Sequence, residues 1–145
     1  MGILDSILGK GGEKTPMKAG ESKISNPFFV SLNLSPIRLA ARKKEVAVLK
    51  VTVKNNSDEP QLFSVDFSLP KNAQLGFDQM ALQKTADKKG GEIKRGESKE
   101  VTIEVWSNNQ TKEGTYEITL TVYSHHLGYE KVMGYVKKTT TLRVI

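Results

Sequence analysis

From residue 28 onward, apolar and polar residues alternate with period two, the mark of strands that bury one face. Residues 28–34 (FFVSLNL) read as a first strand, and Pro36 ends it or marks an edge because proline has no N–H for a ladder. Ala47, Leu49, Val51 and Val53 then share one face, with Lys50, Thr52 and Lys54 on the other. Asn55-Asn56-Ser57-Asp58 supplies a turn, since Asn and Asp bond their own backbone and tolerate left-handed conformations. Phe63, Val65, Phe67 and Leu69 alternate with Ser64, Asp66 and Ser68 until Pro70. After a less regular stretch, Val101, Ile103 and Val105 oppose Glu100, Thr102 and Glu104. A polar loop, Ser107 to Glu113, leads to Tyr116, Ile118, Leu120 and Val122, which alternate with Glu117, Thr119 and Thr121.

Two regions are harder to place. Between 71 and 95, Leu75, Phe77, Met80 and Leu82 suggest a short strand and a bend, and Lys84–Arg95 with Gly90-Gly91 reads as an exposed loop. The final run, Tyr129–Ile145, exceeds one average strand, so a bulge at Gly134 is expected to break it.

Seven or eight one-sided strands with no helical period must pair their apolar faces, as a sandwich or a barrel. Glu113-Gly114-Thr115-Tyr116-Glu117-Ile118 favours the sandwich. It has the form of the acidic-x-Gly-x-Tyr-x-apolar segment that opens strand F of immunoglobulin domains, whose tyrosine hydroxyl bonds backbone at a corner. The expected fold is an all-β, antiparallel immunoglobulin-like sandwich over residues 24–145, with Tyr116 as its structural corner. Residues 1–23, rich in Gly, Lys, Glu, Ser and Pro, read as a flexible tail with a short amphipathic tip.

Val51-Thr-Val-Lys-Asn-Asn-Ser57, Gly96-Glu-Ser-Lys-Glu-Val-Thr-Ile-Glu-Val105 and Gly114-Thr-Tyr-Glu-Ile118 resemble the immunoglobulin-like modules of the NEW3 and CARDB kind from bacteria and archaea. The resemblance covers residues 28–145 and implies a spacer or interaction domain with no catalytic residues. It also raises a carbohydrate- or cell-envelope-associated role, because such modules often accompany glycosidases.

Composition narrows the chemistry. The absence of cysteine removes disulfides, thiolate zinc sites and cysteine nucleophiles together. The net charge of +6 is carried mostly by lysine, with arginine only at 38, 42, 95 and 143. The planar fork that grips phosphate and guanine is therefore scarce, and nucleic-acid binding is not expected. His125 and His126 are the two histidines; as strand neighbours they would point to opposite faces, and no other histidine or cysteine joins them, so no metal is assigned. Neither a nucleophile elbow nor a phosphate loop is present, and the chain is read as non-enzymatic, with no cofactor.

The remaining candidates concern partners and placement. No segment reaches the roughly 20 apolar residues of a membrane span, and no signal-peptide pattern is present, so a cytoplasmic protein is expected. Met1-Gly2-Ile3-Leu4-Asp5-Ser6 fits the myristoylation pattern, and Ile3, Leu4, Ile7 and Leu8 would make any peripheral membrane contact. Asn55 and Asn109 head glycosylation sequons and are read as bare turns. Trp106 and Tyr123 fall on the outward parity of their strands, where rings can anchor a partner or stack on sugars. Paired as a simple hairpin, their strands would put the rings near opposite ends. The terminal strand, residues 139–145, is a candidate open sheet edge for a protein partner.

Overall fold

The computed structural model describes residues 27–145, and the described residues contain no helix. Their strands form two sheets. The first runs, in spatial order, β1 (Phe28–Ser35), β3 (Val46–Asn55), β7 (Ser98–Ser107) and β5 (Leu75–Gly76). The second runs β2 (Arg38–Leu39), β9 (Val132–Val144), β8 (Gly114–His125), β4 (Gln61–Ser68) and β6 (Thr85–Ile93). The order β1-β3-β7-β5 corresponds to strands A-B-E-D of immunoglobulin domains, and β9-β8-β4 to G-F-C. This is an immunoglobulin-like β-sandwich.

The alternating residues do what their spacing requires. Leu49, Val51 and Val53 from one sheet and Phe63, Val65, Phe67, Ile118, Leu120 and Val122 from the other are essentially fully buried in one cluster. Each large side chain so buried contributes about 1.5–3 kcal/mol, which is how a chain without disulfides holds together. Where β8 begins, the Tyr116 hydroxyl donates to the Lys112 carbonyl at 2.7 Å. Ile118, two residues on, is wholly buried.

The structure departs from the sequence reading in four places. The stretch read as an exposed loop, Lys84–Arg95, is mostly β6, an edge strand paired along β4. Its polar and glycine residues hid it, because an edge strand with a solvated face has no clean alternation. Gly90 is the extra residue where the register slips opposite Phe63/Ser64. Of the expected short strand only Leu75–Gly76 pairs; Phe77 packs on the core, and Met80 and Leu82 are exposed.

The final run stays one strand of 13 residues: the bulge falls at Met133, beside Gly134, and bends β9 without ending it. The sheets are also not wholly antiparallel. The chain crosses from the first sheet to the second at a cis Ser35–Pro36 bond, and β2 then pairs in parallel with the end of β9, Arg38 beside Arg143. That pairing covers the last residues of the predicted open edge and displaces it upstream.

Two polar clamps secure the connections. The Lys84 ammonium donates to the carbonyls of Ala73 and Leu75, tying down the crossover before β6. Burial pushes its pKa down, and Asp78 acts in the opposite sense. Asn55, with no exposed surface, bonds the turn that follows it and the end of β6.

Candidate interaction surfaces

The outer face of the second sheet gathers most of the chemistry. Registration across β6, β4, β8 and β9 produces three rows: Thr85-Ser68-Thr119-Thr139, Asp87-Asp66-Thr121-Lys137 and Lys89-Ser64-Tyr123-Tyr135. A shallow groove of about 560 Å³ runs between Asp66, Asp87, Thr121 and Tyr123. Burial, and then the facing Asp87 carboxylate, raise the Asp66 pKa above its ordinary 3.8, while His125 opposes the shift. Neither aspartate makes an ion pair or a hydrogen bond through its carboxylate among the described residues.

Beside this groove the β8–β9 turn folds down over the sheet. Tyr129 packs edge-on against His125 at 5.1 Å, accepts the Gly91 N–H at 2.9 Å through its hydroxyl, and carries the Lys89 ammonium over its ring. His125 is thereby buried and not a surface residue; only His126 is exposed. The His125 Nε2 lies 2.7 Å from the Ser64 hydroxyl, but no described residue bonds its Nδ1. A serine–histidine pair whose second ring nitrogen meets no carboxylate lacks the orienting member of a triad.

The two outward aromatics do lie on outward parity, but on different sheets. Trp106 sits half-buried on the first sheet, its indole N–H donating to Glu104 at 3.2 Å and Lys44 placed 5.6 Å from its ring centre. Tyr123 sits on the second sheet with Tyr135 6.4 Å away. Because β7 and β8 belong to different sheets, their strands do not pair as a hairpin, and the rings face opposite sides of the molecule. Tyr135 was not singled out from sequence. Its pairing with Tyr123 depends on the register across a six-residue turn, which no local signal announces.

The third surface is backbone. The Arg143 and Ile145 N–H groups donate outward, to Ile37 and Leu39 carbonyls of the β2 segment. Backbone groups of an antiparallel strand alternate sides, so those of Tyr135, Lys137, Thr139 and Thr141 also point outward. No described strand pairs with them.

Other expectations fall elsewhere. Ile3, Leu4, Ile7, Leu8 and the myristoylation pattern lie outside the described residues. Among the described residues no three His, Asp or Glu side chains are grouped to hold a metal, and no helix is long and apolar enough to cross a membrane. Of the sequon asparagines, Asn109 is exposed, whereas the Asn55 amide is buried and already donates to two carbonyls.

No protein-family model matches the chain, and no curated protein matches it. Solved structures do. α-2-Macroglobulin from Escherichia coli, in a fragment from domain MG7 to the C-terminus, is 21% identical over 86% of this chain and 17% of that one, with a TM-score of 0.58. The alkylpurine DNA glycosylase AlkC of Pseudomonas fluorescens, bound to DNA containing an abasic site analog, is 11% identical over 81% and 30%, with a TM-score of 0.52. A CARDB domain from Pyrococcus furiosus, in complex with di-metal ions, is 19% identical over 88% and 100%, with a TM-score of 0.48. The chain spans less than a third of the first two structures. At these identities the likeness concerns fold, and it agrees with the strand order: an immunoglobulin-like β-sandwich module, the fold that the resemblance to CARDB-type domains implied.

Proposed function

We propose that this domain is a non-catalytic interaction module that takes up a partner polypeptide in extended form along the open edge of β9. The observation that carries the reading is the outward backbone of Tyr135, Lys137, Thr139 and Thr141, four residues whose N–H and C=O groups have no partner strand among those described. Such an edge is a template for strand addition, in which main-chain hydrogen bonds supply the affinity. Thr139→Pro tests it. The substitution removes an edge-facing N–H without touching the β8 ladder, and proline is tolerated on an edge strand in that orientation. A polypeptide captured by the native domain should be lost by the variant while the melting temperature stays nearly unchanged; equal capture by both would refute the reading.

The groove beside Tyr123 favours a second reading, carbohydrate binding. Its hydroxyl row and facing carboxylates match the hydrogen-bonding needs of a polyol, and the tyrosine ring offers a stacking surface. A glycan panel that shifts the amides of Thr121 and Tyr123, and leaves β9 unmoved, would favour it over the first.

A further inference from the structure

We infer that the strand accepted by β9 is acidic, an inference that rests on the edge reading above and adds the chemistry of the partner. Residues 27–44 and 132–145 together hold seven basic residues and no Asp or Glu. The other described residues hold 11 basic and 13 acidic. The positive excess of the domain is therefore confined to two segments far apart in sequence. The fold brings part of this charge to one edge: Arg38 lies beside Arg143 at the end of β9, with Lys137 and Lys138 further back along the same strand, whereas Arg42, Lys43 and Lys44 lie by Thr111, Ser107 and Trp106.

The open stretch of β9 centres on Lys137-Lys138. Lys137 projects on the outer face, across from Thr121, and makes no ion pair among the described residues. Lys138 stands on the inward parity, across from the buried Leu120, yet is exposed. It must therefore reach out through the seam between the sheets, its stem against apolar surface and its ammonium in water. An inward-pointing charge on an edge strand works against indiscriminate pairing. A second copy adding antiparallel about this point would set lysines against lysines, and like charges directly opposite destabilise a sheet. A strand carrying two consecutive carboxylates places one on each face and meets both ammonium groups, so the lysines that repel a copy select an acidic partner. The open stretch, seven residues or about 23 Å of strand, accommodates such a segment. A nucleic acid would answer the charge, but it offers no alternating N–H and C=O groups for the ladder.

The test titrates the full-length chain, labelled with nitrogen-15, with three probes. Two are nine-residue, β-branched peptides identical except for a central Glu-Glu or Gln-Gln, and the third is a short DNA duplex. The Glu-Glu peptide should move the amides of residues 135–141 and bind about tenfold more tightly than its neutral counterpart, from two exposed charge pairs. That advantage should shrink in high salt and disappear in the Lys137→Gln/Lys138→Gln variant. Equal affinity of the two peptides at β9 would overturn the acidic inference and leave the edge reading standing. Failure of both peptides to move residues 135–141 would overturn the two together. Tighter binding of the duplex at the same residues would overturn the acidic strand in favour of nucleic acid.

Discussion

Asn55→Ala should be among the most damaging polar substitutions in this domain. The Asn55 side chain has no exposed surface and makes four hydrogen bonds. Its amide donates to the carbonyls of Glu59 at 2.8 Å and Ile93 at 2.9 Å, and its carbonyl accepts the Ser57 N–H at 2.9 Å and the Ser57 hydroxyl at 2.6 Å. It thereby binds the end of β3, the turn into β4 and the end of β6 into one unit. A net hydrogen bond is worth about 1 kcal/mol, and a buried group left without a partner costs about 1–3 kcal/mol. Water can reach the Glu59 and Ser57 contacts but not the one at Ile93, so the loss should be about 3 kcal/mol. At this chain length that corresponds to a fall in melting temperature of about 10 °C. Urea unfolding followed by Trp106 fluorescence measures the difference. Asn55→Asp should cost at least as much near neutral pH, because it turns a carboxylate toward two carbonyl oxygens. If Asn55→Ala lay within about 0.5 kcal/mol of the native chain, the account of Asn55 as the tie between these elements would be wrong.

Gly90→Ala should destabilise by about 2–3 kcal/mol, since a Cβ there would overlap the buried Phe63 ring and force the core or the bulge to shift; thermal denaturation reads the loss. Asp66→Asn should stabilise the domain near neutral pH by a few tenths of a kcal/mol, discounted for solvent screening, because it removes a partly desolvated charge and, with it, the repulsion from Asp87. The sign follows from the raised folded-state pKa of Asp66. The native chain holds that proton more tightly, so this contribution is full below the unfolded value and lost as pH rises through the folded one. The advantage of Asp66→Asn should accordingly vanish in acid, and a constant offset across pH would contradict the assigned cause.

The strands that sequence revealed are those with one dry face. Along most of β3, β4, β7 and β8 buried positions alternate with less buried ones, and period two is visible at a glance. The Tyr116 segment favoured a sandwich over a barrel, because such a tyrosine, bonded to backbone, opens strand F of immunoglobulin domains, and its hydroxyl does donate to the Lys112 carbonyl. Edge elements were obscured for the complementary reason. β6 has only Ile93 fully buried among its nine residues, and Gly90 is there because Phe63 needs the space across the strand pair, a requirement that resides in β4. β2 is two residues long and owes its existence to partners in β9 that lie 105 positions away, so no local window contains its cause.

The surfaces follow the same division at larger scale. Parity alone placed Trp106 and Tyr123 outward, but whether two outward residues meet depends on which sheets receive their strands. That choice is made by core packing and not by the residues themselves. Tyr135 joins Tyr123, and Asp66 opposes Asp87, only after register is set. Charge is the clearest case. Read along the chain, Arg42-Lys43-Lys44 and Lys137-Lys138 are two short clusters in a mildly basic sequence, indistinguishable from a solvated surface. Folding sets them apart: Arg42, Lys43 and Lys44 run beside Thr111, Ser107 and Trp106, whereas Lys137-Lys138 stand on the unpaired stretch of β9. Which basic pair a partner strand can meet is thus a property of strand order: β2 covers only the end of β9, so the outward backbone stays open where Lys137 and Lys138 stand.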